Sequence, residues 1–137
     1  MLITVNFLAV VVASVAAFAI GALWYGPLFG RQWRMLMGFG DEAMRSMAMT
    51  PAKAMTGGFI TTLILVFVLA NMLALVGPAS VGEALTLSFW IWLGFVATIM
   101  MNSVWYENRP WKLYFINAAH YLVALLVATY ILAWWPW

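Results

Sequence analysis

Cysteine is absent from the 137 residues, and charge is scarce, with six Lys and Arg, four Asp and Glu and a single His. Without cysteine there is no disulfide, no thiol nucleophile and no thiolate metal site, and the redox compartment cannot be read. Also missing are paired carboxylates within the apolar stretches, a Ser-His-Asp set, a glycine-rich phosphate loop and a metal-binding histidine pair, so no enzyme signature, metal site or cofactor is implied. A net charge of +2 does not argue for nucleic acid as a partner.

What fills the chain is apolar: 67% of it is hydrophobic. The stretches Ile3–Tyr25, Ala54–Val76, Val81–Tyr106 and Leu113–Trp135 hold no charged residue except Glu83. At 1.5 Å per helical residue each crosses the ~30 Å hydrocarbon core of a bilayer. The expected architecture is all-α, a polytopic membrane protein with four transmembrane helices in an antiparallel bundle. Spans are expected at about 3–25, 51–76, 81–106 and 111–135, with an interfacial amphipathic segment over 26–50. Ala17-Phe18-Ala19 resembles a signal cleavage site, but the missing basic n-region and the run continuing to Tyr25 favour an uncleaved first helix.

All six basic residues lie at Arg31–Lys53 and Arg109–Lys112. With four spans these segments share one side of the membrane. Basic residues near helix ends are retained in the cytoplasm, which puts both termini and the Gly77–Glu83 turn outside.

Helix ends are written in local chemistry. Thr50-Pro51 pairs a hydroxyl N-cap with a proline at the first helical position, and Gly77-Pro78 stops that helix. Ser80 and Glu83 have capping-box spacing. These short links predict that spans two and three, and spans three and four, pack as antiparallel neighbours. In the longer first connection Gly38 and Gly40 act as breaks, and Asp41 is placed to cap a short helix.

Trp24, Tyr25, Trp33, Trp105, Tyr106 and Trp111 at one interface, and Trp134, Trp135 and Trp137 at the other, read as interfacial anchors. The Trp-Tyr pairs at 24–25 and 105–106 both close odd-numbered spans, which raises a duplicated two-helix unit with two parallel repeats as a variant of the bundle. Ala9, Ala13, Ala17 and Gly21 recur every fourth residue in span one, as Gly94, Thr98 and Asn102 do in span three. Such stripes allow close helix packing, inside the bundle or between protomers, and a crossing of spans one and three would bury both. Asn6 and Asn71, at comparable depth, are expected to join spans one and two.

The polar cluster of most interest is Asn102, Ser103, Asn117, His120 and Tyr121, with Glu107 and Arg109 at its mouth. Two readings compete. One is a satisfied hydrogen-bond network that fixes helix register. The other makes His120, the only ionisable residue at depth, a proton-relay or ligand-contacting group, because such residues are expensive to keep in a bilayer. Axial ligation of a tetrapyrrole is a lesser alternative. Ten methionines include Met35-Leu36-Met37 and Met47-Ala48-Met49, which without Cys or His nearby read as flexible apolar surface and not as copper ligands.

Gly21-Ala22-Leu23-Trp24-Tyr25-Gly26-Pro27-Leu28-Phe29-Gly30 followed by Trp33, then Trp92-Leu93-Gly94-Phe95-Val96-Ala97-Thr98, then Arg109-Pro110 with Leu113 and Phe115-Ile116-Asn117-Ala118, resemble the bacterial family known as domain of unknown function 1761. The resemblance covers nearly the whole chain. It implies a small four-helix protein of the bacterial inner membrane and little about activity. Many members carry a Tyr-His pair in the fourth span where this chain has His120-Tyr121, a swap that turns histidine by about 100° around the helix.

The functional expectation is an integral inner-membrane protein, partnered by membrane lipids and acting as a homo-oligomer or as an accessory subunit of a membrane complex. The alternative is a small oligomeric transporter or channel for a small solute or protons, using the site around Asn102, Asn117 and His120. A lipid-modifying enzyme ranks third.

Overall fold

A computed structural model describes residues 5–136. The Ile3 end of the first expected span and the expected anchor Trp137 lie outside the described residues. The chain is helical, with no strand among the described residues. Four helices, Phe7–Leu28, Pro51–Val76, Val81–Trp105 and Trp111–Trp134, are long and apolar enough to cross a membrane.

The ends of these helices follow from a few side chains. Thr50 Oγ1 accepts from Lys53 N–H at 3.2 Å, with Pro51 in the first turn. Gly77 closes the second span at φ 65°, a left-handed conformation that glycine adopts without Cβ strain. Ser80 Oγ accepts from Glu83 N–H at 3.1 Å, and the Glu83 carboxylate accepts from Ala79 N–H at 2.8 Å, one residue earlier than a strict capping box. In the long connection, helices Gly30–Met37 and Asp41–Arg45 are separated by Gly38 at φ 76°. Gly40, not Asp41, holds the N-cap of the second, and Asp41 lies in the first turn, where its charge suits the helix dipole.

Both odd-numbered spans contain a π-turn, Trp24–Leu28 and Leu93–Ala97. The first runs through Gly26-Pro27, so the span continues past Tyr25. Pro27 has no N–H to donate, and the wider turn is closed by Phe29 N–H to the Trp24 carbonyl at 2.7 Å. Gly30 follows because a Cβ there would overlap the Tyr25 carbonyl.

The fourth span packs against the first and the third, and the first packs against the second and the fourth. The core is made of small residues facing branched ones: Ala9, Ala13 and Ala17 of the first span, Val66, Leu69 and Leu73 of the second, Ala84 of the third, and Ala128 and Leu132 of the fourth. The stripe on the first span is thus buried against the second and fourth, not against the third.

The expected packing of spans two and three is corrected as well. A tight turn fixes only the separation of helix ends, and the two diverge from it because the buried face of the third span, Ala84 and Ser88, is turned to the fourth. A cavity of about 570 Å³ lies beside this turn, between Leu73, Val81 and Leu132.

Asn6 and Asn71 do not join their helices. Asn6 caps its own, accepting from Ala9 N–H at 3.1 Å, and Asn71 donates to the Phe67 carbonyl at 2.8 Å. An unpaired amide in lipid is expensive, and the nearest backbone group satisfies it with least loss of side-chain freedom.

Candidate functional site

The fourth span carries most of the long-range polar contacts. From one side Trp24 Nε1 donates to the Ile116 carbonyl at 2.9 Å, and Tyr25 Oη donates to Asn117 Oδ1 at 2.8 Å. From the third span, Trp92 Nε1 donates to the Ala118 carbonyl at 2.8 Å, and Tyr114 Oη reaches back to the Ala97 carbonyl in the π-turn at 2.9 Å. Helix carbonyls can take a second donor on their free lone pair. Deeper along the span, the fully buried hydroxyls of Ser88 and Thr129 hydrogen-bond to each other.

His120 is different from all of these. It makes no hydrogen bond among the described residues, and its Nδ1 is enclosed without a partner. Aromatic rings bracket the imidazole: Tyr25 at 5.0 Å, Tyr121 at 4.8 Å and Trp24 at 6.2 Å between centroids. A methyl group added at Gly21 would lie 3.1 Å from Nε2, so the missing side chain at Gly21 makes the room in which the ring lies.

His120 and Gly21 are both on the wall of a cleft of about 670 Å³ between the first, second and fourth spans. Those spans share the core around Val66, Leu69 and Leu132, but nearer the basic connections Gly58 and Thr62 stand across from His120 and Tyr121. Glycine and alanine keep this space open. The hydroxyls of Thr61 and Thr62 donate to the Gly58 carbonyl at 2.9 and 2.8 Å, which leaves their oxygens as acceptors only.

The residues expected to converge are divided by this geometry. Asn117, His120 and Tyr121 lie together on the fourth span, and Asn117 is bonded to Tyr25, not to Asn102. His120 and Tyr121 both line the cleft, so their order does not remove histidine from it. Asn102 is exposed and forms no side-chain hydrogen bond among the described residues, Ser103 is half-buried, and Glu107 and Arg109 are exposed. Gly94, Thr98 and Asn102 all turn outward: each is exposed, and a Cβ added at Gly94 would meet nothing within 4 Å.

Among the expected anchors, Trp105, Tyr106, Trp111 and Trp134 are exposed. Trp24 and Tyr25 instead face the fourth span, Trp33 packs edge-on to Tyr25 at 5.6 Å, and Trp135 is half-buried against the core. The two Trp-Tyr pairs therefore occupy unlike surroundings. Sequence reasoning missed the wall given by the second span. Its only sign was the set of small and hydroxyl residues Gly58, Thr61 and Thr62 inside an apolar stretch. No group of three or more His, Asp or Glu side chains suited to a metal ion occurs among the described residues.

Fold and site together define a helical protein with four membrane-spanning candidates, in which the fourth organises the other polar contacts and helps enclose a cleft beside an unbonded histidine. Residues 8–133 match the family described as "Protein of unknown function (DUF1761)", and the chain belongs to that family. No curated protein and no solved structure matches it.

Proposed function

We propose that this is an inner-membrane protein whose working part is the His120 cleft, where a small membrane-soluble ligand or solute is held or passed. The observation that carries this reading is the contrast between His120, with Tyr121 beside it, and the paired polar groups around them. Asn117, Tyr25, Trp24, Ser88 and Thr129 are all paired, whereas His120 is unbonded and lines a cleft. A histidine kept only to fix helix register is expected to be paired like the others, since an unmade hydrogen bond in an apolar interior costs about 1–3 kcal/mol. Orientation belongs to the same proposal: six basic residues on one side and none on the other support a cleft in the cytoplasmic half and both termini outside.

The test is native mass spectrometry of protein extracted from its own membranes into polymer discs. Wild type is expected to carry a small-molecule adduct that His120→Phe, which keeps the ring packing, loses. Identical adducts in both would sink the reading.

A second reading, assembly with itself or with a larger complex, is favoured by the third span. Its substantial packing is with the fourth alone, and Gly94 and Thr98 face outward. The same spectra decide it: whole multiples of 15.3 kDa support a homo-oligomer, foreign subunits support an accessory role, and monomer alone removes both.

A further inference from the structure

The chemistry of the cleft wall narrows what it takes, given the proposed role of His120. None of the lining residues is Lys, Arg, Asp or Glu. A charged ligand would leave its charge uncompensated in an apolar surrounding, which favours a neutral one.

The wall also has a defined hydrogen-bonding character. Tyr25 spends its proton on Asn117, and Thr61 and Thr62 spend theirs on the Gly58 carbonyl. The Tyr121 hydroxyl has no hydrogen-bond partner among the described residues, and neither has His120. An enclosed nitrogen without a partner is better tolerated as a bare lone pair than as an unmade N–H, so Nδ1 is assigned the lone pair and the proton goes to Nε2, the nitrogen beside Gly21. Two neutral donors on adjacent residues then await an acceptor. The rest of the lining is alanine, glycine, leucine, methionine and phenylalanine, and about 670 Å³ suits one ring or one acyl segment, not a whole two-chain lipid.

We propose that the cleft binds a neutral lipophile through a carbonyl oxygen, with the Tyr121 hydroxyl and His120 Nε2–H as donors and the small-residue wall against its apolar body. A lipid-soluble quinone and the ester group of a glycerolipid both present this chemistry.

The experiment is a thermal-shift titration of delipidated full-length protein in detergent with three probes: a decyl-substituted benzoquinone, didecanoylglycerol and decanoate. Wild type is compared with Gly58→Leu, which places a side chain in the cleft, and with Gly57→Leu, whose added Cβ meets nothing within 4 Å. Tyr121→Phe removes one donor while keeping the ring, and so tests the proposal even should Gly58→Leu fail to fold. A saturable rise in melting temperature with a neutral carbonyl probe is expected, retained in Gly57→Leu, abolished in Gly58→Leu and shifted about tenfold to weaker binding in Tyr121→Phe.

A response to the benzoquinone identifies the quinone source, a response to didecanoylglycerol the lipid ester, and a response to both the shared chemistry. A Gly58-sensitive shift with decanoate alone overturns the neutral-carbonyl proposal but leaves the cleft as a binding site. Shifts indifferent to both Gly58→Leu and Tyr121→Phe, or no saturable shift with any probe, overturn the proposal and the cleft reading together.

Discussion

Tyr25 Oη donates to Asn117 Oδ1 over 2.8 Å, joining residues 92 positions apart and tying the π-turn of the first span to the fourth. Trp24 beside it is tied to Ile116 over the same sequence distance, so two adjacent residues hold one turn of the fourth helix. His120 lies one turn further along that helix, with the Tyr25 ring against it.

Tyr25→Phe is therefore expected to destabilise the protein by about 0.5–1.5 kcal/mol, within the range seen for hydrogen bonds between membrane helices. A double-mutant cycle with Asn117→Ala, followed by reversible unfolding in mixed micelles, should give a coupling energy of about 0.6 kcal/mol or more. Strict additivity would mean that the bond contributes nothing.

Gly21 and Gly58 are expected to respond differently to the same added methyl group. At Gly58 it would touch Phe18 Cε2 at 3.6 Å, an ordinary contact, and Gly58→Ala should change stability by less than about 1 kcal/mol. At Gly21 it meets His120 Nε2 at 3.1 Å, so Gly21→Ala must displace the imidazole. The chemical shifts of the His120 ring should move in Gly21→Ala and stay put in Gly58→Ala.

Ser88→Ala leaves the Thr129 hydroxyl without its buried partner. That single change is expected to destabilise by about 1–2 kcal/mol, whereas adding Thr129→Val should recover part of the loss because both polar groups are then gone. Melting in detergent checks this, and a double variant no more stable than the single would refute it.

Ala17→Leu puts a large side chain where the first span is 5% exposed and packed in the core. The expected result is a loss of about 1–3 kcal/mol from overpacking in the monomer itself, read as a lower melting temperature whatever the oligomeric state.

Orientation has its own check. A reporter that is active only outside the cytoplasm, fused after Trp137, should be active, and an inactive fusion together with an active one in the Arg31–Lys53 segment would reverse the assignment.

These outcomes bear on what the sequence made legible. The caps at Thr50, Gly77 and Ser80 were readable because a helix end is decided by a few adjacent residues. Spacing along the fourth helix was readable too, since Asn117 and His120 at i and i+3 lie a turn apart. Direction around the helix was not. In a water-soluble helix an apolar stripe marks the inside, but lipid is as apolar as the core, so all faces of these spans look alike. Asn102 was expected to face Asn117 and is instead exposed, while Tyr25, read as an anchor, faces inward. The π-turns add to this, because each shifts the register of the residues that follow it.

The asymmetric packing of the spans also has a consequence during synthesis. The first two spans have each other as partners as soon as both are made. The third finds its principal partner only when the chain has grown from Trp105 through Trp134. At ~5–20 residues per second that interval is on the order of a few seconds. Until the fourth is made, Ser88 and Trp92 lack the partners it supplies, the Thr129 hydroxyl and the Ala118 carbonyl.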